Sequence, residues 1–116
     1  MDSMLGAASL GDIGKIFPDN DSKYLNANSL DLLSEVNKII KEKGYSINNI
    51  DSIIVAQEPK MSKYIDLMRN NIAKTLETDI ENVSIKATTE EGLGFTGKKE
   101  GISAYSICIL KSSFLT

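Results

Sequence analysis

Apolar residues recur along the chain with two different periods. Met1, Met4, Leu5 and Ala8 stand at i, i+3, i+4 and i+7, the stripe of an amphipathic helix, and the stripe stops at Gly11. Asp2 or Ser3 offers a weak cap, and a helix this short needs neighbours to be stable. Because the chain opens inside a stripe, we expect residues 1–116 to form a single domain that lacks its N-terminal portion. From Leu10 to Ser29, "LGDIGKIFPDNDSKYLNANS" sustains no period and predicts a long loop, which in a compact domain is functional or disordered. A second helix starts at the N-cap Asn28 with Asp31 in its first turn. Leu32, Leu33, Val36, Ile39 and Ile40 mark its apolar face, Lys41 and Lys43 complement its dipole, and Gly44 ends it.

The rest of the chain alternates between the periods. "IDSIIVA" (Ile50 to Ala56) is a β-branched run that predicts a buried strand, broken by "QEPK". Met61, Ile65, Met68, Ile72 and Leu76 predict a third helix, and "VSIKA" (Val83 to Ala87) alternates as a strand does. "ISAYSICIL" (Ile102 to Leu110) is apolar on both faces and predicts a central strand. The order helix, helix, strand, helix, strand, strand predicts an α/β (α+β) fold: a strand-helix-strand sandwich with a mixed sheet covered by helices on one face.

Composition then narrows the chemistry. With 13 basic and 16 acidic residues among 116, the net charge is -3, which argues against a nucleic-acid partner and leaves any anionic ligand to local groups. Cys108, the single cysteine, excludes an intrachain disulfide and lies in the apolar run "AYSICIL", as a buried structural thiol in a reducing compartment would. No run approaches the roughly 18 apolar residues of a membrane span, and the N-terminus has no signal-peptide layout, so a cytosolic protein without a membrane partner is expected. The sequence contains no histidine, which removes the commonest general base and the commonest zinc ligand. Chemistry must come from carboxylates, lysines and backbone amides.

Three loops leave strand or helix ends: "GDIG", "AQEPKM" and "ATTEEGLGFTG". In open α/β sheets such ends collect ligands, since free amides and positive dipole ends meet there, and the pattern favours an oxyanion or nucleotide. Thr88 and Thr89 offer hydroxyls to phosphate, while the acids beside them make sense with a divalent cation between carboxylate and phosphate; an exposed turn with solvated acids is the plainer alternative. Lys60 is either a phosphate-pairing charge or a solvated helix start, Asp12 either a ligand for hydroxyls or a turn cap, and Phe95 either a core anchor or an oligomer contact.

Taken together and in order, "LGAASLGDIGKIFPD", "AQEPKM" and "KATTEEGLGFTGKKEGI" resemble the 2-C-methyl-D-erythritol 2,4-cyclodiphosphate synthase family of the non-mevalonate isoprenoid pathway. The resemblance implies conversion of 4-diphosphocytidyl-2-C-methyl-D-erythritol 2-phosphate to the cyclic diphosphate with release of CMP. It assigns Asp12 and Gly14 to the methylerythritol hydroxyls, with Phe17, Asp19 and Asp21 shaping that pocket. Ala56, Pro59, Lys60 and Met61, with Ala87, Thr88 and Thr89, would cradle the cytidine and its phosphates. Glu91 would ligate magnesium, and Lys60, Thr89 and Glu91 would be catalytic. The family forms homotrimers with sites between subunits, and Phe95 and Lys98 would line the central channel. Its second metal, zinc or manganese, uses an Asp-x-His and a further His that this sequence does not contain, and Lys98 stands where arginine is usual. Bacterial cytoplasm or plastid stroma is the implied location. The alternative is a shortened, non-catalytic homologue that binds cytidine nucleotide or only oligomerises.

Overall fold

The computed structural model describes residues 1–113. Its elements are α1 (Asp2–Ala7), α2 (Ile13–Ile16), α3 (Ser29–Glu42), β1 (Tyr45–Val55), α4 (Ile65–Leu76), β2 (Val83–Thr88), α5 (Gly94–Gly97) and β3 (Ser103–Ser112). Short 3-10 turns cover Ser22–Tyr24, Ser62–Tyr64 and Ile80–Asn82. The strands form one mixed sheet in the order β2-β1-β3, with β1 parallel to β2 and antiparallel to β3. The expected sandwich is therefore present.

The apolar stripes build its core. Met4 and Leu5 of α1, Leu33, Val36 and Ile40 of α3, Leu76 of α4 and Ile47 and Ile50 of β1 bury together on one face of the sheet. Ala73, Val83 and Ile85 make a second cluster under α4. The Asn28 side chain caps α3 by accepting from the Leu30 amide at 2.8 Å, and Gly44, at φ +88°, ends it. Only glycine takes that conformation without strain.

Several elements depart from the sequence expectation. β1 begins at Tyr45 rather than Ile50, because a bulge between Ile47 and Asn49 lets Ile47 and Ile50, three residues apart, both face the core. That breaks the period-two signal. The long loop contains α2 and a 3-10 turn, each started by an aspartate: Asp12 Oδ1 accepts from the Lys15 amide and Asp21 Oδ1 from the Lys23 amide. Asp2 does not cap α1; its Oδ1 accepts from the Ile13 amide at 2.8 Å and pins the start of α2. The third helix starts at Ile65, leaving Met61 in the preceding loop. β3 is an edge strand, not the central one. Cys108 and Leu110 pack on the core, whereas Tyr105, Ile107 and Ile109 project from the opposite face and are exposed. Cys108 itself is only partly buried.

On that open face, Lys86 donates to both Asp51 oxygens at 2.7 and 2.8 Å, and this hydrogen bonding is the first cause holding the Asp51 carboxyl below its ordinary pKa. Its contribution to stability is present above the ordinary carboxylate range and is lost as pH falls through the folded-state value.

Arg69, the sole arginine among the described residues, ties α4 to the start of β2: its Nε donates to the Val83 carbonyl at 2.7 Å and its Nη2 to the Ile80 carbonyl at 3.1 Å. Arg69→Met leaves both carbonyls without that donor. We expect it to lower unfolding free energy in urea by about 1–3 kcal/mol. A loss no greater than that of Asp66→Ala, which removes only the exposed Asp66–Arg69 ion pair, would refute this role.

Candidate functional site

The parallel pairing of β1 and β2 ends at Val55 opposite Thr88, and the Ala56 amide still donates to the Thr88 carbonyl at 3.0 Å. Beyond that bond the two chains diverge. The space between them is a hollow of about 350 Å³ lined by Ala56, Gln57, Lys60, Met61, Ser62, Ala87, Thr88 and Thr89. Six of the residues expected at the nucleotide thus meet: Ala56, Lys60, Met61, Ala87, Thr88 and Thr89. Pro59, joined to Glu58 by a cis peptide bond, is exposed and does not line the hollow.

Cross-ties hold the two loops together. Gln57 Oε1 accepts from the Gly92 amide at 3.3 Å, and Lys99 Nζ lies 3.1 Å from Glu58 Oε1. Thr89 Oγ1 accepts from the Glu91 amide at 3.2 Å, setting the turn that presents Glu91 at φ 53° to solvent. Sequence reasoning missed Gln57 and Ser62 as lining residues and Gln57 as a tether. The signal available was the placement of Gln57 inside "AQEPKM", directly after the last strand residue. It also missed Gly97, where an added Cβ would collide with the Gly92 backbone.

The first loop lies elsewhere. Asp12 and Gly14 sit at α2, with the Asp12 carboxylate engaged as a cap. Phe17 is buried in the core, edge-on to Tyr24 at 4.9 Å between ring centroids. Asp19 is exposed and Asp21 caps its own turn. None of these residues lines the hollow. Phe95 is no core anchor: it is 54% exposed and lines a shallow depression with Glu90, Leu93, Ser103 and Tyr105. Lys98 is exposed nearby in sequence.

Chemically, the hollow combines an ammonium, three hydroxyl side chains and small apolar walls, a set suited to a phosphorylated ligand with a flat apolar part. Among the described residues, no group of three or more His, Cys, Asp or Glu is placed to hold a metal ion. Glu91 does not line the hollow; its backbone amide donates to the Thr89 hydroxyl, and its side chain is exposed.

Residues 1–111 match the YgbB family. The chain belongs to the YgbB family. The protein named 2-C-methyl-D-erythritol 2,4-cyclodiphosphate synthase in Clostridioides difficile (strain 630) is 63% identical over 110 residues, covering 95% of this chain and 68% of that protein. The Clostridium acetobutylicum protein of the same name is 60% identical over the same length, covering 71% of itself. Among solved structures, the bifunctional IspDF of Campylobacter jejuni superposes with a TM-score of 0.92 at 46% identity, covering 96% of this chain and 30% of that one. The Plasmodium falciparum IspF in complex with CDP superposes at 0.83 with 34% identity, covering 96% and 66%. The mixed sheet with helices on one face is thus a YgbB-family fold.

Two glycines test the geometry of the YgbB chain. Gly97→Ala should destabilise by more than about 1 kcal/mol in urea unfolding, since the Gly92 backbone must move, whereas Gly6→Ala, in helix α1 with no atom near its added Cβ, should stabilise by about 0.4–1 kcal/mol. Equal effects of the two would show that the 92–97 turn is not closed as described.

Proposed function

We propose that this chain acts as a 2-C-methyl-D-erythritol 2,4-cyclodiphosphate synthase, a lyase of the non-mevalonate isoprenoid pathway. The observation that carries the proposal is the hollow at the ends of β1 and β2, in a chain 63% identical to a protein of that name. In the reaction an oxygen of the 2-phosphate attacks the β-phosphorus and closes the ring. The bond from that phosphorus to the bridging oxygen breaks, and CMP leaves with the bridging oxygen. No proton transfer is required, so positioning and charge neutralisation dominate, and the lack of histidine is no obstacle to this step.

Lys60 serves as the cation that accumulating phosphate charge meets, and Thr89 donates its hydroxyl beside it. Ala56, Met61 and Ala87 form the apolar wall for the cytosine ring, with Thr88 and Pro59 at its rim. Asp12 and Gly14 take the methylerythritol hydroxyls, in a pocket shaped by Phe17, Asp19 and Asp21. For magnesium the donor chemistry fits: a cation held mainly by phosphate oxygens needs one or two carboxylates, and Glu91, two residues beyond Thr89 in the same turn, would supply one. Bound there, magnesium would neutralise diphosphate charge. For zinc or manganese the residues do not fit, since the sequence has no histidine and no cluster of ligands is formed among the described residues.

The nucleotide hollow and the first loop are separate within one chain, and apolar side chains of β3 and the glycine loop are uncovered. A homotrimer with sites between subunits accounts for both, with Phe95 and Lys98 turned toward the symmetry axis. Among the described residues no helix is long and apolar enough to cross a membrane. The clostridial relatives favour the bacterial cytoplasm over the plastid stroma.

Titration with CDP tests the site. Lys60→Ala should weaken binding about tenfold or more, with or without magnesium, through loss of a charge-assisted hydrogen bond. Glu91→Gln should remove the gain that magnesium gives while leaving magnesium-free affinity unchanged. Failure of the unaltered chain to bind CDP would overturn the proposal.

A further inference from the structure

The glycine loop is pinned to its neighbour by two consecutive residues. The Ala56 amide donates to the Thr88 carbonyl at 3.0 Å, and the next residue, Gln57, accepts through Oε1 from the Gly92 amide at 3.3 Å. Residues 88–92 are therefore held at both ends by the extension of β1, and Glu91 lies directly beside the second pin. Ala56 is buried and Gln57 half-buried, so both pins start from the end of a strand.

Between the pins the backbone needs holding. Glu91 at φ 53° and Gly92 at φ 85° are the central residues of a turn closed by the Leu93 amide, which donates to the Glu90 carbonyl at 3.0 Å. Positive φ at both central positions is the pattern of a type I′ turn, which glycine, asparagine and aspartate favour and glutamate does not. Both central amides are taken by side chains: Thr89 Oγ1 accepts from Glu91 at 3.2 Å, and Gln57 Oε1 from Gly92. Thr89 belongs to the same loop and moves with it. Of the two, only Gln57 reaches in from another loop, where it also lines the hollow three residues before Lys60.

We propose that Gln57 is a positioning residue for the metal-ligating carboxylate: by accepting from the Gly92 amide it fixes the turn that presents Glu91, and so sets how much magnesium strengthens nucleotide binding. The inference rests on the reading of Glu91 given above. Gln57 does not itself meet the metal; it holds the turn that carries the carboxylate against the wall that takes the nucleotide, as outer partners of metal ligands do. Without that bond the turn populates other conformations, and metal binding must first order it. The other tie between the loops, Lys99 to Glu58, is an ion pair with both side chains more than half exposed. It lies beyond Gly97 and is weakened by salt, so it serves as the control.

CDP titrations of the full chain with and without magnesium test this, read as the ratio of the two affinities. Gln57 lines the hollow, and the ratio cancels what it contributes to the nucleotide alone. Gln57→Met removes the acceptor at nearly constant length, and Gln57→Asn withdraws it by one methylene; each should cut the magnesium gain about three- to tenfold. Without metal or nucleotide, the Gly92 amide should exchange with solvent at least about threefold faster in both, at an unchanged urea midpoint. Gln57→Glu keeps an acceptor at the same reach and should retain both the gain and the Gly92 protection. Glu58→Gln, which removes only the exposed ion pair, should leave the gain within about twofold. A gain that survives both removals, or one lost in Gln57→Glu while Gly92 stays protected, would overturn the role of Gln57 and leave the site intact. An unaltered chain that binds CDP without any magnesium gain would overturn the reading of Glu91, and one that binds no CDP the proposed site, and this inference falls with either.

Discussion

The parallel pairing of β1 with β2 is the constraint on which the rest depends. It runs from Ile50 opposite Val83 to Val55 opposite Thr88, so both strands end at the same level. A parallel pair cannot be closed by a tight turn, and α4 must cross between its strands. Both chains therefore leave the sheet side by side at one end, and each starts a loop there. The hollow is the gap between those loops, floored by the small Ala56 and Ala87, which leave room that larger side chains would fill.

Keeping that gap in shape falls to polar ties rather than to core packing. The Gln57 side chain accepts from the Gly92 amide, and Lys99 pairs with Glu58 across the loops. The exposed pair contributes little by itself, but the tethers act together on a segment whose glycines would otherwise let it wander. Gly97 completes the arrangement by allowing close backbone approach to Gly92. The glycine loop is thus folded onto the neighbouring loop by its own sequence, and Glu91 is displayed as a consequence.

The opposite face of the sheet is uncovered. Helices α1, α3 and α4 supply a layer on one side only, and the apolar alternation of β3 provides for a second layer that the single chain does not contain. In the first loop, Asp2 and Asp12 fasten α2 in a position apart from the hollow.

Local physics determined much of this from the sequence alone. The Asn28 cap, the Gly44 stop and the faces of α3 and α4 follow from side chains a few residues apart, and the quoted loop motifs carried the family resemblance without any coordinates. Tertiary structure decided what local periods cannot encode. The bulge between Ile47 and Asn49 hid the first half of β1, because its extra residue shifts the alternation by one. The apolar second face of β3 signalled a central strand, and only strand order placed β3 at the edge with that face exposed. Asp2 read as a cap for its own helix, yet its carboxylate serves an amide eleven residues away. Which partner a polar group finds depends on where the whole chain brings the competing donors, and that is settled only when the core has closed.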